Sequence, residues 1–225
     1  MKAIILAAGV GSRIGHRLPK CLTELPNGKT ILENQIHLLN ANGINEIIIV
    51  VGFKKELIME YYPDVLYRYN PLFHVTNTAK SLMLAFQNAT PDDTLWLNGD
   101  VYLESKVLER VIQTPGNVVA VNTAVVGDEE VKYRTDLNGY IVEISKKVVG
   151  AQGEAVGVNK ISQNDFHLFY QKLQECKDQD YFERAMELAI ADGVKFRPVD
   201  VGDLQCVEID FRKDLELVRR FFRNR

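Results

Sequence analysis

Three apolar runs, each followed by a glycine, constrain the fold of this chain more than any other feature. Ala3-Ile4-Ile5-Leu6-Ala7-Ala8 runs into Gly9, Glu46-Ile47-Ile48-Ile49-Val50-Val51 into Gly52, and Thr94-Leu95-Trp96-Leu97-Asn98 into Gly99-Asp100. Short runs with so little polar alternation read as strands buried on both faces. Helical patterns separate them. Thr30 can cap a helix carrying Ile31, Ile36, Leu38 and Leu39, with Gly43 as its stop; 54–62 and 81–89 give two more, and 65–69 a further strand. Strands alternating with helices imply βαβ units and a mainly parallel sheet with helices on both faces. Ligands of such sheets bind outside the carboxyl ends of the strands, so the Gly9 loop, Gly52 and Asp100 are expected to face one crevice.

The second half changes character. A fifth buried strand spans 118–123, and 131–135 and 140–144 flank Asp136-Leu137-Asn138-Gly139, a hairpin signal with its turn glycine in place. Strands at 155–161, 194–199 and 206–209 and helices at 164–176, 180–191 and 212–223 complete the pattern. No repeat, low-complexity tract or Pro/Ser-rich linker divides the chain, so its 225 residues read as one domain, with the hairpin packed over the crevice.

Composition narrows the function. The chain is 46% hydrophobic, enough for a proper core, and its net charge of −3 gives no support for a nucleic-acid binder. No apolar run approaches the ~18 residues of a membrane span, and no signal-peptide core precedes the first strand, which points to the cytoplasm. Cys21, Cys176 and Cys206 are scattered, odd in number and without a C-x-x-C pair, as expected of reduced packing residues. His16, His37, His74 and His167 show no ligand spacing.

Chemistry concentrates after the first strand. Gly9-Val10-Gly11-Ser12 has little side-chain bulk, so its N–H groups can approach a phosphate or base, and Arg13 and Lys20 add a planar fork and a mobile point charge. A dinucleotide fingerprint would need glycine where Ile14 stands, and an acid where Val51-Gly52 ends the second strand. A Walker A loop ending in Gly28-Lys29-Thr30 would need glycine at Thr23, so Asn27-Gly28 reads as a turn. The pattern that does match is Leu6-Ala7-Ala8-Gly9-Val10-Gly11-Ser12-Arg13 with Pro19-Lys20. It resembles the signature of the nucleotidyltransferase superfamily, the nucleotide-sugar pyrophosphorylase-like enzymes that join a nucleoside triphosphate to a phosphorylated small molecule.

That resemblance implies a Rossmann-like three-layer α/β fold with a mainly parallel mixed sheet and a small β-hairpin acceptor-binding lobe. It implies catalytic roles for Arg13, Lys20 and Asp100, and a nucleotide side formed by Leu6, Ala8, Gly9, Gly11, Ser12, Asn77, Ser81 and Asn98. Asp100 and Asp210, the latter in an E-x-D segment before the final helix, match the family's Mg²⁺ ligands, which suits a cation that prefers a few carboxylates plus substrate phosphates. Asp210 can equally serve as a helix N-cap. Lys146, after the hairpin, matches the lysine that holds the acceptor phosphate, although Lys146-Lys147 also reads as a solvated strand end. Gly153-Glu154-Ala155-Val156-Gly157 resembles the G-E-x-x-G segment of the acceptor pocket, with Glu154 the candidate. Thr76 to Leu82 resembles a T-N-x-x-x-S-L segment on the nucleotide side; capping accounts for Asn77 and Ser81 as well.

Six residues separate Arg13 from Lys20, shorter than the usual insert of sugar-1-phosphate enzymes. The spacing resembles the phosphocholine cytidylyltransferase-like branch. It implies CMP transfer from CTP to a small phosphorylated or phosphonate acceptor, with release of pyrophosphate, to activate a surface-glycan or lipid substituent. A sugar-1-phosphate nucleotidyltransferase and a non-catalytic nucleotide sensor are the alternatives, and a homodimer is left open. A choline acceptor would want an aromatic cage. Trp96 belongs to a core strand, and nothing in the sequence makes Tyr133, Tyr140 and Tyr181 converge. Tyr181-Phe182-Glu183 can set an acid and aromatics beside the acceptor, or simply open an amphipathic helix.

Overall fold

The computed structural model describes residues 1–10, 18–124, 126–127 and 130–223. Its first half holds β1 (Lys2–Ala7), α1 (Ile31–Ala41), β2 (Ile47–Val51), α2 (Lys55–Tyr61), β3 (Leu66–Tyr69), α3 (Thr78–Phe86) and β4 (Thr94–Asn98). The second half holds β5 (Val101–Leu103), α4 (Ser105–Gln113), β6 (Asn117–Asn122), β7 (Lys132–Thr135), β8 (Ile141–Ser145), β9 (Gly153–Ile161), α5 (Phe166–Glu175), α6 (Phe182–Ala191), β10 (Phe196–Asp200), β11 (Cys206–Glu208) and α7 (Arg212–Arg223). The main sheet runs β10-β6-β9-β4-β1-β2-β3, with β7 pairing β8 and β9. β1 to β4 are mutually parallel, as are β6 and β10, while β9 runs antiparallel to β4, β6 and β7.

The unbroken apolar runs are explained by two cores. Ile4 and Leu6 of β1 face one side with Trp96 and residues of α3, α5 and α6; Ala3, Ile5 and Ala7 face the other with Leu32 and Leu39 of α1 and Val107, Leu108 and Val111 of α4. Both faces of β1 are therefore dry, which gives the three layers expected from the sequence. Thr30 caps α1 as expected, its hydroxyl accepting the Glu33 N–H at 3.0 Å. Trp96 is fully buried between Phe169 and Phe182 and lies in the core.

Three local expectations need correction. The sequence reading leaves 101–117 unassigned, yet β5 and α4 lie there; β5 is too short to show a period, and α4 buries only Val107, Leu108 and Val111 beneath a charged face. The helix expected from Ser81 begins at Thr78, because the Asn77 side chain accepts the Thr78 N–H at 2.8 Å. Gly52 does not face the crevice. A Cβ at Gly52 would meet Ala8 O at 2.5 Å and Phe73 Cβ at 2.6 Å, so Phe73 covers that strand end.

Candidate active site

The site is assembled at the carboxyl ends of β1 and β4. Gly99 turns the chain directly after β4, its N–H donating to Leu6 O at 2.9 Å; a Cβ there would stand 2.7 Å from the same oxygen, so only glycine lets the two strand ends come this close. Asp100 follows in the turn that leads into β5. β5 then pairs antiparallel with β11, Val101 opposite Glu208, and the Ile209 N–H donates to Asp100 O at 2.9 Å. This two-stranded ladder brings Asp100 beside Glu208 and Asp210. From beneath, the buried Gln35 of α1 donates to Asn98 O at 2.8 Å and Val101 O at 2.7 Å, bracing the turn from both sides of Asp100.

Asp100, Glu208 and Asp210 place one carboxylate oxygen each within 4.8 Å of one another. Lys20, in a single 3-10 turn over Lys20–Leu22, puts its ammonium 3.2 Å from Asp100 Oδ2 and also pairs with Asp210. Burial pulls the Lys20 ammonium down, but Asp100 and Asp210 outweigh it and leave it above its ordinary value. Asp100 is pushed up by burial and by Asp210, against the pull of Lys20. Glu208 is pushed well up by burial and by Asp100 and Asp210 together. Among the described residues, Asp100, Glu208 and Asp210 with Lys20 beside them form a converging set of hard oxygen donors, and that set fits a divalent cation such as Mg²⁺.

The turn into α7 is held from inside the helix. Asp214 does that work, its Oδ2 accepting the N–H groups of Asp210 at 3.1 Å and Phe211 at 2.7 Å, which leaves the Asp210 carboxylate turned to Lys20. The E-x-D string contains both carboxylates, but reading the sequence selects Asp210 and misses Glu208; their two-residue spacing around the strand end is the signal. Gln35 has no sequence signal, since an interior helix glutamine is ordinary.

These groups line a cleft of about 610 Å³, whose wall also includes Leu6, Gly9, Asn98, Gly157, Lys146 and Glu183. The Asn98 Oδ1 is buried there without a hydrogen-bond partner among the described residues, and Gly157, at φ +72°, leaves room for the Asn98 side chain, which a Cβ would approach to 2.8 Å. Lys146 arrives from the end of β8, its ammonium 5.2 Å from the centre of the Tyr181 ring, so the hairpin does reach the cleft.

Other candidates lie elsewhere. Ala8 is 5% exposed in the core, with its carbonyl accepting the Phe53 N–H. Asn77 caps α3, and Ser81 is buried against Asn70, whose amide donates to its hydroxyl at 3.0 Å. Glu154 is turned away from the cleft, its carboxylate accepting the Gly127 N–H at 2.9 Å; Gly127 itself lines the cleft, so Glu154 holds the wall from behind. Gly11, Ser12 and Arg13, and with them His16, lie outside the described residues.

Gly9 after β1, a lysine and a carboxylate cluster gathered at the ends of β1 and β4 are the geometry expected of nucleotidyl transfer. The family described as the MobA-like NTP transferase domain matches residues 3–154 of the chain. The chain belongs to that family. Among curated NTP transferase-like relatives, the CMP-5'-(3-aminopropyl)phosphonate synthase of Streptomyces rubellomurinus is 30% identical over 233 residues, covering 93% of this chain and 37% of that one. The CTP:phosphoglutamine cytidylyltransferase of Campylobacter jejuni is 27% identical over 253 residues, covering 96% of this chain and 98% of that one. The chain thus spans well under half the length of the Streptomyces relative and nearly all of the Campylobacter one. A structure of the CTP:phosphocholine cytidylyltransferase of Streptococcus pneumoniae superposes with a TM-score of 0.78 over 98% of both chains at 21% identity, and it bears out the Rossmann-like α/β fold. Among the described residues no helix is long and apolar enough to cross a membrane.

Proposed function

We propose that this domain is a Mg²⁺-dependent cytidylyltransferase that joins CMP from CTP to a small phosphorylated or phosphonate acceptor. The observation that carries the reading is the Lys20 ammonium set between Asp100 and Asp210 beside the Gly9 loop. Relatives whose names state CMP and CTP chemistry on a phosphonate and on a phosphoamino acid support the base and the acceptor type.

The reaction is a single displacement. An oxygen of the acceptor phosphate or phosphonate forms a bond to the α-phosphorus of CTP, the bond from that phosphorus to the α–β bridging oxygen breaks, and pyrophosphate departs with the electron pair. The attacking oxygen is already anionic at neutral pH, so no general base is required. The protein's task is positioning and charge neutralisation. In this reading Lys20 and Arg13 neutralise the triphosphate, Lys146 orients the acceptor anion, and Asn98 and the Gly9 backbone lie against the nucleotide. Asp100 and Asp210, with Glu208 beside them, are the groups that would hold Mg²⁺, and the bound cation supplies electrostatic stabilisation of charge on the transferring phosphate. A diphosphate-linked product is an activated donor, suited to decorating a glycan or lipid.

The test is pyrophosphate release with Mg²⁺, comparing CTP, UTP, GTP, ATP and dTTP against phosphocholine, phosphoethanolamine, aminoalkylphosphonates, inositol phosphate and sugar 1-phosphates. Release with CTP and a non-sugar acceptor is expected. Release only with a sugar 1-phosphate would overturn the acceptor assignment, and binding without release would leave a nucleotide sensor.

A further inference from the structure

One charged group of the cleft has no part in the chemistry above. Glu183 stands in the first turn of α6, lines the cleft and is 9% exposed. Its Oε2 is buried and has no hydrogen-bond partner among the described residues. Burial pushes the carboxyl up to about 7, and its own backbone N–H and the charge of Lys146 offset only part of that. The N-terminus of α6 favours an acid in this turn, and the carboxyl meets its own backbone N–H, but its neighbours Phe182, Ala185 and Met186 are buried and apolar and supply no donor to Oε2. A buried acceptor oxygen without a donor costs free energy until a ligand supplies one.

The surroundings say which donor. Lys146 overhangs the Tyr181 ring at 5.2 Å and is near enough to Glu183 for its charge to act on that carboxyl, so an anion site and an acid border the same part of the cleft. Among the described residues no aromatic cage for a quaternary ammonium forms: besides Tyr181 the cleft is bordered by Phe182, which packs edge-on against Trp96 in the core, and by Phe211, whose ring is covered by Lys213 at 5.3 Å. Tyr140 is turned to Arg197, whose guanidinium donates to its hydroxyl at 3.0 Å, Tyr133 is 4% exposed in the core, and only Tyr181 of the three borders the cleft. What the site offers a cation is therefore a hydrogen-bond acceptor rather than a ring of π faces.

We propose that Glu183 Oε2 accepts a hydrogen bond from the protonated primary amine of an aminoalkyl phosphate or phosphonate acceptor. Tyr181 then lies along the short alkyl chain and Lys146 pairs with the anionic end. The proposal rests on the cytidylyl-transfer reading and narrows its acceptor to a zwitterion with N–H donors.

The experiment measures kcat and KM for matched acceptors with CTP and Mg²⁺. Phosphoethanolamine is compared with propyl phosphate, which carries a methyl in place of the ammonium, and with phosphocholine, which keeps the charge but has no N–H. 3-Aminopropylphosphonate is compared with butylphosphonate in the same way. The wild-type chain is expected to favour the primary amine over its neutral partner by at least about tenfold in kcat/KM, mostly through KM, and Glu183→Gln is expected to close that gap. Equal use of an amine and its neutral partner by the wild type, a preference for phosphocholine, or an undiminished gap in Glu183→Gln would overturn the assignment. If the variant does not fold, the wild-type ranking decides. Turnover of none of these acceptors, with another acceptor active, overturns this inference alone; no pyrophosphate from any acceptor overturns the transfer reading beneath it.

Discussion

The Lys20 ammonium lies 3.2 Å from Asp100 Oδ2 and pairs as well with Asp210, joining positions 80 and 190 residues away along the chain. One cation thus ties the 3-10 turn Lys20–Leu22 to the β4–β5 turn and to the end of β11. Replacing Lys20 with alanine is expected to lower turnover by about 10²-fold or more, the scale of one preorganised charge contact. The same variant should melt earlier than wild type without metal, because Asp100 and Asp210 lose the ammonium that pairs with both. Saturating Mg²⁺ should restore more of its melting temperature than it adds to wild type, which differential scanning fluorimetry can read. Near wild-type turnover would remove Lys20 from the mechanism.

Glu208 belongs with the two aspartates if the carboxylates form one cation site. Titration with Mn²⁺, followed by its electron paramagnetic resonance signal, should show weaker binding for Asp100→Asn, Asp210→Asn and Glu208→Gln, each by at least about tenfold. An unchanged isotherm for Glu208→Gln would place Glu208 outside the site.

Gln35 supports the site without touching it. Its amide holds the carbonyls of Asn98 and Val101, both in or beside a buried turn. Gln35→Ala leaves both acceptors without that donor and should cost about 1–3 kcal/mol in urea denaturation. Turnover should fall further than stability alone explains, since Asp100 sits between the two carbonyls. A variant as stable and active as wild type would dismiss the brace.

Legibility from sequence followed how locally each feature is encoded. The buried strands, the helix capped by Thr30 and the hairpin turn at Asp136-Leu137-Asn138-Gly139 are written in contiguous residues, and all of them form. The fold brings Asp100, Lys20 and Asp210 together, and each stands in a short local pattern: a glycine-closed strand end, the Pro-Lys pair and the E-x-D string. Glu208 and Gln35 were not, because their importance depends on the β5–β11 ladder and on helix packing. Asn77 and Ser81 show the reverse: a polar segment before a helix suits a nucleotide, but here the two side chains are consumed by a cap and by Asn70. Glu154 likewise binds the Gly127 N–H instead of facing the cleft.

Glu183 also sets a pH dependence. Its folded carboxyl is raised to about 7 from an ordinary value of 4.5, so between those values the folded chain holds a proton that the unfolded chain has lost. Folding stability from this group is therefore greatest below pH ~4.5 and falls as pH rises towards 7, by about 3 kcal/mol at most. Glu183→Gln removes the titration. Its melting temperature should match wild type near pH 5 and exceed it at pH 8, with the gap at pH 8 narrowing when phosphoethanolamine is added to wild type. A gap that does not change with pH would show that Glu183 does not titrate in this range.

The most direct test of cytidylyl transfer is ³¹P NMR of purified protein with CTP, Mg²⁺ and phosphoethanolamine or 3-aminopropylphosphonate. The account predicts loss of the acceptor resonance, coupled diphosphate-type resonances from a new P–O–P linkage, and one equivalent of pyrophosphate, all abolished in Asp100→Asn. Persistence of the acceptor resonance, with CTP either intact or hydrolysed to free CMP, would contradict it.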